Sequence, residues 1–185
     1  MKTLLLGMGN PILCDDAVGV RLAQDFKKKL NQKPDLDIVE ECSVGGLNLL
    51  DLFKGYDRAI VLDSFHTTGG VPGDWYYFTA SALCETIHLT NIHDTNFATA
   101  LALGKTMGMA LPELSNILIF GVEIKENTTF SESMSPELEE SYPRYSSDIL
   151  EEIEALLQSD VADAFPPRRA SGCSSYYSAV RHSQS

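Results

Sequence analysis

The chain has 185 residues, enough for one sizeable core and too few for two ordinary domains. Its 44% hydrophobic and 22% charged residues exclude a disordered or fibrous chain, and a formal net charge of -12 speaks against a nucleic-acid partner, because phosphate binding runs on Lys and Arg. Four cysteines without Cys-x-x-Cys spacing suggest neither a zinc ribbon nor a disulfide scaffold, and no segment reaches membrane-spanning length, so a cytoplasmic monomer with no membrane partner is expected.

Met1-Lys2 leads into Thr3-Leu4-Leu5-Leu6, a run too short for a signal-peptide core, so no leader is expected. Closed by Gly7-Met8-Gly9-Asn10-Pro11, that run predicts a buried strand ending in a tight turn. From Asp16 onward, Val18, Leu22, Phe26 and Leu30 recur at helical spacing, with Lys27, Lys28 and Lys29 in the last turns where cations suit the helix dipole. Residues 37–40 read as a second strand and 46–53 as a short helix ended by Gly55. Ala59-Ile60-Val61-Leu62 predicts a third buried strand stopping at Asp63.

The link 67–73 is too short for a crossover helix, so Trp75-Tyr76-Tyr77-Phe78 is expected to return antiparallel at a sheet edge. Phe97, Leu101, Leu103 and Met107 mark a helix beginning near Asp94, and residues 116–122 a last buried strand. Residues 125–142 are polar and read as a long loop with at most one turn at 136–139. Ile149, Leu150, Ile153, Leu156 and Leu157 then form a closing amphipathic helix. The alternation predicts an α/β fold, a three-layer αβα sandwich with a mostly parallel central sheet and one antiparallel edge strand. One domain over 1–160 and a flexible tail over 161–185 are expected.

Ligands of open α/β sheets bind beyond the carboxyl ends of the parallel strands. Asp15, Asp16, Asp63 and His93 all fall on that rim. The glycine turn lacks the third glycine of the dinucleotide fingerprint, and two carboxylates at the following helix start would repel a phosphate. Helix capping accounts for one of Asp15 and Asp16 but not both. Asp63 reads either as a turn residue or as an acid at the core edge, where a charge needs a partner or a metal. His93 reads as a surface-loop histidine or as a ligand kept neutral by a helix N-terminus. His66 competes for the ligand role, His88 and His182 have less to recommend them, and Cys14 beside Asp15 reads as a packing residue. Two carboxylates and one imidazole make an O/N site suited to nickel, zinc, manganese or iron, with positions left open for water or substrate.

The stretch Leu5-Leu6-Gly7-Met8-Gly9-Asn10-Pro11-Ile12-Leu13-Cys14-Asp15-Asp16-Ala17-Val18-Gly19 resembles the opening motif of the [NiFe]-hydrogenase maturation proteases. Gly45-Gly46-Leu47-Asn48-Leu49-Leu50, Val61-Leu62-Asp63, His93 and Phe120-Gly121-Val122 follow in that family's order, over roughly the first 160 residues. The resemblance implies an αβα sandwich whose metal-binding residues are Asp16, Asp63 and His93. It also implies an endopeptidase that removes the C-terminal extension of a [NiFe]-hydrogenase large-subunit precursor once nickel, supplied by that precursor, is in place. The hydrolytic step is then aspartic-type or metal-assisted. Two departures stand out: 123–127 lacks the proline expected after Gly121-Val122, and the tail has no counterpart in the family.

Two rivals remain at this stage. A non-catalytic nickel-sensing chaperone would hold the precursor without changing its mass. Peptidyl-tRNA hydrolases share the Gly-x-Gly-Asn-Pro turn but follow it with an Arg-His-Asn segment that this chain does not have.

Overall fold

The computed structural model describes residues 1–43, 46–85, 92–125 and 127–158; the side chains of 46–47, 83–85 and 92–98, and the expected tail, lie outside that description. Its strands are β1 (Thr3–Met8), β2 (Leu36–Cys42), β3 (Arg58–Phe65), β4 (Trp75–Thr79) and β5 (Ile117–Glu123). Its helices are α1 (Val18–Leu30), α2 (Leu50–Phe53), α3 (Ala80–Glu85), α4 (Ile92–Thr106) and α5 (Pro136–Gln158). The sheet order is β2-β1-β3-β5-β4, parallel throughout except for β4, which pairs antiparallel with β5 at one edge. This is the mixed sheet expected from the sequence.

The central strands are covered on both faces, which is why they are nearly continuous in apolar residues rather than alternating. Strand alternation still decides which helix each residue meets. Leu5, Ile60, Leu62, Leu118 and Phe120 pack with Val18, Leu22 and Phe26 of α1 and with Leu138, Tyr145, Ile149 and Ile153 of α5. Leu4, Leu6, Ala59, Val61, Ile117 and Ile119 pack on the opposite side with Leu49, Leu50 and Phe53 and with Ala100 and Leu101 of α4.

Two long-range bonds fix the direction of the covering helices. The Gly55 N–H, just before β3, donates to the Ala110 carbonyl, just after α4. The carboxyl end of α4 therefore lies at the amino ends of the parallel strands, and its amino end, about 22 Å away at 1.5 Å per residue, lies at their carboxyl rim. Arg58, buried at the start of β3, donates to the Thr3 hydroxyl and to the Leu156 carbonyl near the end of α5. A guanidinium serves there because it offers several donors and suits a helix carboxyl end.

Several boundaries differ from the sequence expectation. A 3-10 turn, Cys14–Ala17, precedes α1, and β3 runs two residues past Asp63. The short helix α3 was not expected. The largest difference is α5, which begins at Pro136 and covers residues read as loop. Pro143 has no N–H for the ladder and normally ends a helix, yet Leu138, Tyr142 and Tyr145 on either side of it are buried against α1, and that burial outweighs the one lost bond.

The α1–α5 seam carries its own electrostatics. Asp25 accepts from Lys28 and from the Tyr142 hydroxyl, while Arg21 pairs with Glu139 and lies 4.4 Å from the Tyr142 ring centroid. The Lys28 hydrogen bond, helped by Tyr142, holds Asp25 below its ordinary 3.8, and the Arg21 hydrogen bond holds Glu139 below 4.5. Burial pushes the Tyr142 hydroxyl well above the usual tyrosine range. Depressed carboxylates contribute stability that is present above their unfolded values and lost as pH falls through the folded ones. Urea melts should therefore be flat between about pH 7 and pH 5 and lose stability below about pH 4. Asp25→Asn should shrink that acid loss, and an unchanged acid limb would remove the seam from the explanation.

Candidate functional site

Strand order reverses between β1 and β3: the chain leaves β1 for β2 on one side and leaves β3 for β4 and β5 on the other. Such a switch point opens a crevice at the strands' carboxyl ends. Glycines let the chain close tightly around it. Gly9 has φ +130°, and a side chain there would meet the Asp16 carbonyl oxygen at 2.0 Å, so the turn after β1 folds straight back onto Asp16. At Gly19 an added Cβ would lie 2.3 Å from the carbonyl oxygens of both Met8 and Leu62, so the first turn of α1 rests on the ends of both strands.

This packing positions the acids. The Asn10 N–H donates to Asp16 Oδ2 at 2.8 Å and the Ser64 hydroxyl to Asp16 Oδ1 at 2.9 Å. The Ser64 N–H donates to Asp63 Oδ1 at 2.8 Å. One residue, Ser64, thus bonds both carboxylates across 48 residues of sequence. Each Asp16 oxygen, accepting one such bond, keeps further lone-pair capacity for a cation or a water. Asp63 lies opposite Gly121 of β5 and shares the strand face of Val61 and Phe65, the face on which α4 packs.

Position 93 is the second residue of α4, at the carboxyl rim by the direction of that helix; the helix starts at Ile92, slightly earlier than the expected Asp94. The His93 side chain lies outside the described residues. Among the described residues no three His, Cys, Asp or Glu side chains gather to hold a metal. His66 is exposed beyond β3, with Nδ1 placed 3.2 Å from the Ile124 carbonyl, an acceptor that calls for the proton on that nitrogen.

The capping expectation for Asp15 and Asp16 is corrected. The cap positions are Leu13 for the 3-10 turn and Ala17 for α1, and no side chain caps either. The neighbours face opposite ways instead. Fully buried, Asp15 accepts from the Ser135 N–H at 2.6 Å, the Ser135 hydroxyl at 2.9 Å and the Lys125 N–H at 3.3 Å. It ties the segment after β5 and the start of α5 to the loop after β1. Cys14 is buried beside it with φ +20°, a conformation L residues rarely adopt, and its Sγ lies 3.6 Å from Asp15 Oδ1, in keeping with its reading as a packing residue.

Asp15→Ala should strand those donors and cost about 3 kcal/mol. That is a fall in Tm of roughly 6 to 12 °C for a domain of this size. Calorimetry on the variant measures it, and a shift below about 2 °C would show the tie to be dispensable.

Sequence reasoning passed over Ser64, Asn10 and Glu123. Glu123, buried at the end of β5, accepts from the Thr67 N–H at 2.6 Å, the Thr67 hydroxyl at 2.9 Å and the Tyr76 hydroxyl at 3.0 Å, pinning the loop after β3. An acid ending an apolar strand was the available signal, as it was for Asp63. Nothing local marks Ser64, and Asn10 reads only as part of the tight turn after β1.

Comparison with known proteins supplies the context for this rim. The family model described as hydrogenase maturation protease matches residues 20–152, taking in Asp63 and position 93 but starting after Asp16. The Hydrogenase 2 maturation protease of Escherichia coli K12 is 30% identical over 73 residues, an alignment spanning 40% of this chain and 44% of that relative. The chain thus spans less than half the length of the curated relative it matches. Among solved structures, the hydrogenase maturating endopeptidase HybD from E. coli superposes with a TM-score of 0.64 at 20% identity, covering 84% of this chain and 94% of that one. The [NiFe] hydrogenase maturation protease HybD from Thermococcus kodakarensis does so with a TM-score of 0.62 at 19% identity, covering 85% and 100%. At those identities the superpositions speak to the fold.

Proposed function

Because this chain belongs to the hydrogenase maturation protease family, we propose that it is the endopeptidase that removes the C-terminal extension of a [NiFe]-hydrogenase large-subunit precursor after nickel insertion. Asp16, Asp63 and His93 engage the precursor's nickel, so that cleavage waits for the loaded metal. The observation that carries this reading is the shared anchoring of Asp16 and Asp63 by Ser64 at the switch-point crevice. The donor chemistry agrees with it, since oxygen and imidazole ligands suit nickel(II). Asn10 and Ser64 hold Asp16 by one bond on each oxygen, which fixes the carboxylate's orientation while leaving it a base toward water or a ligand toward the cation. Bound to the substrate, the nickel would add polarisation of a nearby carbonyl.

The test is direct. Nickel-loaded precursor incubated with the protein should lose the mass of its extension, read by mass spectrometry, while nickel-free precursor stays intact. An unchanged mass in the loaded sample would make the protein a chaperone rather than a protease. Equal cleavage of both samples would remove nickel from the recognition step.

A further inference from the structure

At the carboxyl rim β3 separates from β5 by an exchange of hydrogen bonds. The Ile124 N–H donates to the Phe65 carbonyl at 2.8 Å, and the next step of an evenly spaced parallel ladder would give the Thr67 N–H to the Ile124 carbonyl. Side chains take both ends of that bond instead. Glu123 Oε1 accepts from the Thr67 N–H at 2.6 Å, and His66 Nδ1 lies 3.2 Å from the Ile124 carbonyl oxygen. β3 therefore stops at Phe65, and the chain folds back over the Glu123 side chain so closely that a Cβ on Gly70 would overlap its carboxyl group. The Thr67 and Tyr76 hydroxyls donate to Glu123 Oε2, and the Gly73 N–H closes the loop on the Glu123 carbonyl at 2.9 Å.

This loop seat adjoins the acids. Gly121 opposes Asp63 and Glu123 opposes Phe65, so the Glu123 side chain shares the Asp63 face of the sheet, one pleat or about 6.6 Å further out. An acid only 2% exposed is costly to bury. Core packing alone asks for no carboxyl group at this strand end, and the donors it meets belong to the loop after β3 and to Tyr76 of β4. We propose that Glu123 is a positioning residue for cleavage of the precursor: it holds the 67–70 loop as a preformed wall beside Asp63, along which the peptide bearing the scissile bond lies. This deepens the protease reading and rests on it. A loop already ordered spares the complex the entropy of ordering it, and apparent affinity falls with the fraction of molecules whose loop is seated. Glu123 thus acts on binding, through the loop, and touches no reacting atom.

Steady-state cleavage of nickel-loaded precursor tests it. Glu123→Ala should raise KM roughly tenfold and leave kcat within about twofold, the result of seating the loop in about a tenth of the molecules. Mere loss of folded protein does the opposite, lowering kcat at constant KM. Glu123→Gln should restore KM, since its amide oxygen accepts the Thr67 N–H and its NH2 group donates to the two hydroxyls. Gly70→Ala approaches from the other side: the added Cβ displaces the loop from an intact Glu123, so KM should rise alike, and combined with Glu123→Ala the two effects should not add. Should Glu123→Ala fail to fold, Gly70→Ala and Glu123→Gln decide the matter. Amide exchange at Thr67 should quicken in Glu123→Ala and Gly70→Ala while exchange in β1 stays slow. Unchanged KM in these two variants, a fall in kcat alone, or a Glu123→Gln protein as impaired as Glu123→Ala overturns the positioning role. Cleavage by the wild-type protein separates these results from failure of the protease reading, which would show as no cleavage by any form.

Discussion

Replacing Asp16 with Ala is expected to abolish cleavage of nickel-loaded precursor, a fall in kcat/KM of on the order of a thousandfold or more, while the far-UV dichroism of the fold persists. The two halves of that expectation have separate physical grounds. Asp16 is half-buried, so the Asn10 N–H and Ser64 hydroxyl it leaves behind can be met by water, and the cost to stability stays near 1 kcal/mol. Chemistry has no such substitute. Water brings no charge to a cation and is a poor base, whereas in the proposed role the carboxylate would supply both functions from a fixed position. On the proposed reading, Asp63→Ala and His93→Ala should behave alike, because a three-ligand grip on a cation would fail when one ligand goes. Ser64→Ala discriminates further. It removes one bond to Asp16 but keeps both carboxylates, so it should weaken cleavage by roughly tenfold to a hundredfold, the scale of an outer-shell partner. Normal cleavage by Asp16→Ala and His93→Ala together would sink the site assignment.

The parts of this molecule that could be read from sequence are those where one physical signal dominates. Leu4-Leu5-Leu6, the 59–62 run and the 117–122 run are apolar because both faces of a parallel sheet are covered, and they gave the strands and their order along the chain. The 67–73 link was too short for a crossover, and β4 accordingly runs antiparallel. Asp16 and Asp63 stood out as acids following apolar strands. What escaped depended on contacts distant in sequence. The division of labour between Asp15 and Asp16 is decided by Ser135 and Lys125, more than 100 residues away, and no local rule separates the two acids. Ser64 gains its place only when the 3-10 turn after β1 closes over the end of β3. The early start of α5 was hidden by the polar composition of 125–142, a local signal overruled by the burial of Leu138, Tyr142 and Tyr145.

Gly19→Ala should be one of the most damaging single-carbon changes in the fold. Within a helix, Ala normally gains about 1 kcal/mol over Gly, so propensity alone predicts stabilisation at this position of α1. Space predicts the reverse. The new Cβ would sit 2.3 Å from the carbonyl oxygens of Met8 and Leu62, and both belong to strand backbone that cannot swing aside as a side chain would. Relief requires α1 to lift off β1 and β3, which unpacks Val18 and Leu22 as well, and overpacking of that kind costs about 3 kcal/mol or more, beating the helix gain. Gly108→Ala is the matched control: nothing lies within 4 Å, so only its φ of +75° is penalised, at about 1 kcal/mol. Thermal melts should therefore rank wild type above Gly108→Ala and Gly108→Ala well above Gly19→Ala. The folded fraction of Gly19→Ala should also cleave poorly, because a lifted α1 carries Asp16 away from Ser64. A Gly19→Ala protein as stable and as active as wild type would mean that the helix start does not bear on the strand ends, and the link between that packing and the two acids would be broken.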